Sequence, residues 1–266
     1  MTADGTALLD IARQAIAIGG DLLKNTRPGQ VERKGDRDFV TDLDLRIQDE
    51  IRRYLADAAP EIEFLSEEVN GPQPDPETAD AMWVLDPIDG TSNFIHGIPL
   101  SAVSLALVQG GAATVGVILA PFLGLEYFAI AGRGAYSNGH RMAASQSETL
   151  EKSIVSLGDY AVGANADRKN QRRVALTTAL ASSVERVRMF GSAALDLVWV
   201  AEGRTDACVI LANKPWDTAA GVLIARESGA RVTDSAGNSH SFASADTVAA
   251  APSIADELLT LIDDIG

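Results

Sequence analysis

The chain has 266 residues, of which 46% are hydrophobic and 22% charged, and it carries a formal charge of −15. That length supports one large domain or two intimate ones around a buried core. Such an acidic surface repels nucleic acid and anionic membranes, so neither is expected as a partner. No apolar run reaches the roughly 18 residues of a membrane span, and residues 1–10 lack the pattern of a signal peptide. The lone cysteine, Cys208, allows no internal disulfide and suits a reducing cytoplasm. His96, His140 and His240 are scattered, whereas zinc needs clustered ligands.

From the N-terminus, Leu8, Leu9, Ala12, Ala15, Ile16 and Leu22 recur at helical spacing, which predicts an amphipathic helix over 6–23. Residues 25–38 are polar and read as an exposed arm with a mobile turn at Lys34-Gly35-Asp36. A second helix is expected over 41–55, with Thr41 and Asp44 as a capping pair. A short strand over 62–65 ends at Ser66-Glu67-Glu68, an acidic, proline-rich loop follows, and a strand over 81–85 leads into Asp86-Pro87-Ile88-Asp89-Gly90-Thr91.

Between Ser101 and Ala129 apolar residues alternate with period two. Turns at Gly110-Gly111 and 121–124, and another at Asn138-Gly139, predict antiparallel hairpins. A composition shift near 144–150 suggests two subdomains, 1–145 and 146–266. The second half reads as strand (153–157), helix (166–181), strand (184–190), helix after Gly191-Ser192, strand (206–211), helix (217–228), strand and a final helix (254–262). The whole is mixed α and β, with sheets covered by helices.

Acidic residues recur at element ends: Asp44, Glu67-Glu68, Asp86 with Asp89, and Asp217. Magnesium takes oxygen ligands and keeps waters that a phosphate can displace. Asp86 and Asp89 cannot share one face of an extended strand. Across a turn at Pro87 they could converge on two ions, which would clamp the attacking and leaving oxygens of an in-line displacement. Taken singly, each feature also has an ordinary reading. Asp-Pro-x-Asp-Gly is a common surface turn, Glu67-Glu68 a solvated pair, and Asp44 and Asp217 helix caps. The apolar lead-in Trp83-Val84-Leu85 favours a buried strand end.

Two segments carry a wider resemblance. One is Trp83-Val84-Leu85-Asp86-Pro87-Ile88-Asp89-Gly90-Thr91-Ser92-Asn93-Phe94. The other is Trp216-Asp217-Thr218-Ala219-Ala220-Gly221, followed by Glu227-Ser228-Gly229-Ala230. With Asp38–Asp44, Phe64–Glu68 and Gly191–Ala194 in order, the chain resembles the inositol monophosphatase family of lithium-sensitive, magnesium-dependent phosphatases over nearly its full length. The resemblance implies an α+β fold, the layered α-β-α-β-α sandwich of the inositol monophosphatase and fructose-1,6-bisphosphatase type. It also implies a homodimer and a small phosphorylated metabolite as substrate.

The resemblance further implies two or three Mg2+ ions. Glu67, Asp86 and the Ile88 carbonyl would hold the first, and Asp86, Asp89 and Asp217 the second. Thr91 would orient the attacking water, Asp44 would hold the Thr91 hydroxyl, and Glu68 would help place the water. Asp89, Gly90, Thr91, Ser92, Gly191, Ser192, Ala193 and Asp217 would contact the substrate. Lys34 matches a lysine on the mobile arm.

The chain departs from the inositol-specific pattern at two positions. Ile210 stands where a hydroxyl-binding glutamate is expected, and Lys214 where a histidine is common, which weakens selection for a polyol. The expected activity is hydrolysis of a small phosphorylated polyol such as inositol 1-phosphate. Fructose-1,6-bisphosphatase, histidinol-phosphate phosphatase and 3′-phosphoadenosine phosphatase remain alternatives. A haloacid-dehalogenase-type phosphatase has one residue between its aspartates rather than two. A non-catalytic magnesium-binding protein has no need of Thr91 and Asp44.

Overall fold

The computed structural model describes residues 5–35, 38–68 and 73–265. Two helices open the chain, α1 (Gly5–Asn25) and α2 (Asp42–Ala58), separated by the hairpin β1 (Val31–Gly35) and β2 (Asp38–Thr41). The arm expected over 25–38 therefore carries an antiparallel ribbon. The Lys34 side chain lies outside the described residues, as does Asp36 of the expected turn. Thr41 caps α2, and its N–H and hydroxyl both donate to Asp44 Oδ2, at 2.9 and 2.5 Å.

Seven strands form the first sheet, in the order β3-β4-β5-β6-β7-β8-β9. They are β3 (Glu63–Ser66), β4 (Ala81–Asp89), β5 (Ala102–Gln109), β6 (Ala112–Ala120), β7 (Leu125–Ile130), β8 (Ala135–Ser137) and β9 (His140–Arg141), with the short helix α3 (Thr91–Ile95) between β4 and β5. All neighbours pair antiparallel except β3 with β4, which run parallel. The expected hairpin at Asn138-Gly139 joins β8 to β9.

The second sheet has the order β11-β10-β12-β14-β13. Its strands are β10 (Ile154–Leu157), β11 (Arg186–Arg188), β12 (Ala207–Leu211), β13 (Arg231–Thr233) and β14 (Asp246–Ala250). Helices α4 (Ala166–Ser183), α5 (Ala193–Ala201), α6 (Pro215–Glu227) and α7 (Ala255–Asp263) complete the chain.

Period-two alternation explains how the layers stack, because successive side chains leave a strand on opposite faces. Trp83 and Leu85 of β4 join Val103, Leu105 and Leu107 of β5 in a core with α1 and α2. Met82 and Val84 point the other way, into a core built with α5 and α6. Cys208 and Ile210 of β12 close that second core from the far side, while Ala207 and Val209 face a third core with α4 and α7. The result is the α-β-α-β-α sandwich, with α5 and α6 held between the sheets. No helix among the described residues is long and apolar enough to cross a membrane.

Candidate active site

Strand β4 does not end in a turn after Leu85, as its sequence suggests, but runs on to Asp89 with Pro87 inside it. Its partner register steps from Asp86↔Ser104 to Asp89↔Ala102, three residues against two. The extra residue is a β-bulge. In a regular strand, positions three apart face opposite ways; one inserted residue cancels that parity. Pro87 has no N–H to give to a ladder, so a bulge accommodates it. Ile88 N–H donates to Asp86 Oδ1 at 3.1 Å, and Asp86, Ile88 and Asp89 are all buried.

Gly90 follows with φ +83°, and a Cβ there would stand 2.8 Å from the Leu100 carbonyl oxygen and 3.0 Å from that of Gly191. Glycine alone satisfies both the left-handed backbone and the close approach. Helix α3 starts at once, so Thr91 and Ser92 belong to its first turn. His96 is spent locally, with Nδ1 at 2.8 Å from the Ser92 carbonyl oxygen.

The other carboxylates reach this point from three further elements, β3, α2 and α6. Because β3 runs parallel to β4, with Ser66 opposite Leu85, Glu67 leaves the sheet beside Asp86. The Glu67 N–H donates to the Leu85 carbonyl at 3.3 Å, and Glu68 follows half-buried. Asp44, on α2, is 1% exposed and uses its second oxygen, Oδ1, to accept the Thr91 hydroxyl at 3.2 Å. The same hydroxyl lies 2.9 Å from the Ile88 carbonyl oxygen. Asp217, in the first turn of α6, accepts the Lys214 N–H at 2.7 Å.

Asp89 bridges the two halves of the chain. Its carboxylate accepts the Ser192 hydroxyl, the Ala193 N–H at 3.1 Å and the Ala194 N–H at 3.0 Å, so it caps α5 from outside. An anion at a helix start meets unpaired N–H groups and the positive end of the helix dipole. Asn93 secures the same joint: its Nδ2 donates to the Leu100 carbonyl at 2.8 Å and to the Phe190 carbonyl at 2.7 Å. Asn93 belongs to the motif, yet the motif by itself assigns it no task. An amide inside the first turn of a short helix, past the position where it could cap that helix, is the signal that marks it.

Electrostatics set this cluster apart from an ordinary group of caps. Burial pushes the Asp86 carboxyl well above the usual range, and the charges of Glu67, Asp89, Asp217 and Asp44 push it further. Burial raises Asp89 to about 6 against the hydrogen bonds from Ser192, Ala194 and Ala193. Asp217 rises to about 7, again chiefly through burial, opposed by the Lys214 N–H. Among the described residues no three His, Cys, Asp or Glu side chains form a ready-made metal cage. Asp89, Asp217 and Asp44 are each turned toward N–H or hydroxyl donors instead. The donor set is nonetheless all hard oxygen and carries excess negative charge. It fits a hard divalent cation that retains several waters and takes few protein ligands.

The two departures also have places. Ile210, 6% exposed, faces α5 and α6 from β12. Lys214 is exposed at the N-cap of α6, where its charge slightly offsets the rise at Asp217.

A five-layer sandwich that gathers acids where its two sheets meet defines a class, the metal-dependent phosphoric monoester hydrolases of this fold. Within that class the chain belongs to the inositol monophosphatase family, whose family model matches residues 4–265. It is 35% identical over 246 residues to a fructose-1,6-bisphosphatase/inositol-1-monophosphatase of Thermotoga maritima, covering 90% of this chain and 88% of that one. The extragenic suppressor protein SuhB from Bartonella henselae superposes with a TM-score of 0.88 at 33% identity, over 96% of this chain and 98% of that one. A staphylococcal inositol monophosphatase solved as a lithium chloride inhibitory complex superposes with a TM-score of 0.79 at 25% identity, over 94% and 90%. Members of the family are phosphatases acting on small phosphorylated compounds.

Proposed function

We propose that the protein is a magnesium-dependent phosphomonoesterase that hydrolyses a small phosphorylated polyol such as inositol 1-phosphate by direct attack of water. The observation that carries this reading is the Thr91 hydroxyl, held by both Asp44 and the Ile88 carbonyl beside carboxylates that raise one another. A purely structural cation site has no use for an oriented hydroxyl.

Glu67, Asp86 and the Ile88 carbonyl would hold one Mg2+, and Asp86, Asp89 and Asp217 a second, with Glu67 shared by any third. When bound, these ions neutralise phosphate charge and lower the pKa of water toward neutrality. Thr91 has one proton and two acceptors. If a cation took the Ile88 carbonyl, that proton would go to Asp44 Oδ1. The Thr91 oxygen then presents only lone pairs to the site, so it can receive a hydrogen from the attacking water and fix its direction. Glu68 helps to position the same water. The first-turn N–H groups at Gly90, Thr91 and Ser92 bind phosphate oxygens. Gly191, Ser192 and Ala193 line the side from which the alcohol leaves.

A second reading, a sugar bisphosphatase, draws support from Ile210, which offers no acceptor to a polyol, and from the exposed Lys214. The deciding experiment is a substrate panel with and without Mg2+ and Li+, comprising inositol 1-phosphate, glycerol 2-phosphate, fructose 1,6-bisphosphate, histidinol phosphate and 3′-phosphoadenosine 5′-phosphate. Magnesium-dependent release of phosphate, inhibited by lithium, is expected; no release from any member defeats the proposal. We also read the chain as a cytoplasmic homodimer. Exposed Tyr160, Val162, Val174 and Met189 around α4 and β11 support a self-contact there, and light scattering at micromolar concentration tests it.

A further inference from the structure

One acidic side chain near this site has no task in the chemistry described so far. Asp159 follows Gly158 directly after β10. The Gly158 N–H donates to the Val209 carbonyl at 2.9 Å. A Cβ on Gly158 would lie 3.5 Å from the Ile210 Cα, so the chain leaving β10 runs against the end of β12. The Asp159 backbone is pinned, because its carbonyl accepts Arg173 Nε at 3.1 Å.

The Asp159 carboxylate itself has no hydrogen-bond or ion-pair partner among the described residues. Arg173 does not neutralise it. That guanidinium donates to three carbonyls instead, those of Asp159, Lys169 and Leu211. Although Asp159 is exposed, desolvation by its surroundings raises its carboxyl above the usual range. Asp196, one turn into α5, feels the charges of both Asp89 and Asp159. Asp89 caps the start of α5, and Asp159 lies within electrostatic reach of that first turn, one residue past the glycine that packs on the Ile210 backbone.

We propose that Asp159 is a specificity-determining residue of the leaving-group side: its carboxylate accepts a hydrogen bond from a hydroxyl or ammonium on the departing alcohol and repels a second phosphate. This rests on the phosphatase reading above and narrows its substrate class. An unpaired acceptor one residue past the Gly158 contact with Ile210 supplies the directional contact that Ile210 cannot make. A site built to hydrogen-bond a donor rejects analogues that lack it far more strongly than an apolar wall does. A second phosphate would bring like charge beside Asp159, with the exposed Lys214 as a local offset near Asp217.

The test compares wild type with Asp159→Ala, Asp159→Asn and Asp159→Lys, in the presence of Mg2+. Four probes are used: inositol 1-phosphate for hydroxyl donors, phosphoethanolamine for an ammonium, fructose 1,6-bisphosphate for a second phosphate, and p-nitrophenyl phosphate for a leaving group with no donor. In Asp159→Ala the ratio of kcat/KM for a donor-bearing substrate over p-nitrophenyl phosphate should fall about tenfold or more, mainly through KM. The probe whose ratio falls identifies the donor as hydroxyl or ammonium. Asp159→Lys should lower the same ratio and raise relative use of the bisphosphate. Asp159→Asn keeps size and one acceptor oxygen, so it should retain most hydroxyl use and lose discrimination against the bisphosphate. A structural role would move all four substrates alike. Ratios unchanged within about twofold in the Ala and Lys variants would overturn the proposal. Wild type active on p-nitrophenyl phosphate keeps the phosphatase reading standing in that event, whereas wild type inactive on all four probes ends both.

Discussion

Removing the metal should leave a protein whose stability grows as the solution is acidified, the reverse of ordinary acid denaturation. Asp217 and Asp89 have folded pKa values of about 7 and about 6, and Asp86 is pushed well above its usual range, all with burial as the leading cause. A carboxyl whose folded pKa exceeds its unfolded one contributes stability that is full below the unfolded pKa. That stability is lost as pH rises through the folded value. Between about pH 8 and about pH 6.5, Asp217 and Asp89 together recover about 1 kcal/mol, and Asp86 adds at most about 2 kcal/mol, given about 1.4 kcal/mol per proton and pH unit. For a chain of this size that is a rise in melting temperature of roughly 2–10 °C. His240, whose pKa burial lowers to about 4, works the other way as pH approaches its unfolded value of about 6.5, and takes back about 0.4 kcal/mol by the acid end of the window. The assay is a thermal melt in EDTA across this range, repeated with saturating Mg2+. With metal the slope should flatten or reverse, since the cation competes with protons for the same oxygens. A melting temperature in EDTA that is constant or falls on acidification would refute the claim that these carboxylates crowd one another.

Asp44→Asn should lower kcat by about a hundredfold with little change in KM, because the Thr91 proton loses its anionic acceptor while the amide oxygen can still cap α2; steady-state kinetics beside a melt reads both. Asn93→Ala removes donors to the Leu100 and Phe190 carbonyls and should cost about 2–3 kcal/mol of stability in a urea titration, with KM rising as the α5 start loosens. Gly90→Ala forces a side chain into a left-handed backbone and against two carbonyl oxygens, and should cost more than about 2 kcal/mol and abolish turnover. Asp89→Asn should weaken Mg2+ binding measured by calorimetry at least about tenfold while the melt in EDTA at pH 8 rises, since a buried charge is removed.

Much of this architecture is written in the chain because its strands alternate cleanly. Trp83 and Leu85 against Met82 and Val84 divide β4 between two cores, and the same rule places Val209 and Ile210 on opposite sides of β12. The acidic residues were legible as a set because each lies where an element ends. Their arrangement was less so. A proline between two aspartates reads as a turn, but the pairing of β4 with β5 continues past it, and a bulge does the work assigned to the turn. That Asp89 caps α5 is a contact across 104 residues between the Asp89 carboxylate and the Ala193 N–H, which no local pattern encodes. Asp159 was invisible for a similar reason. It sits after β10 in a loop of ordinary composition, and only the parallel pairing of β10 with β12 brings its neighbour Gly158 against Ile210.

The most direct test of the account is phosphate release from inositol 1-phosphate by wild type and by Asp217→Asn, each titrated with Mg2+. The account predicts turnover that requires Mg2+ in the wild type. In the variant it predicts a loss of about a hundredfold or more that extra Mg2+ restores only in part, with the fold intact by circular dichroism. Turnover in the wild type that persists in EDTA, or a folded Asp217→Asn protein as active as wild type at every Mg2+ concentration, would contradict it.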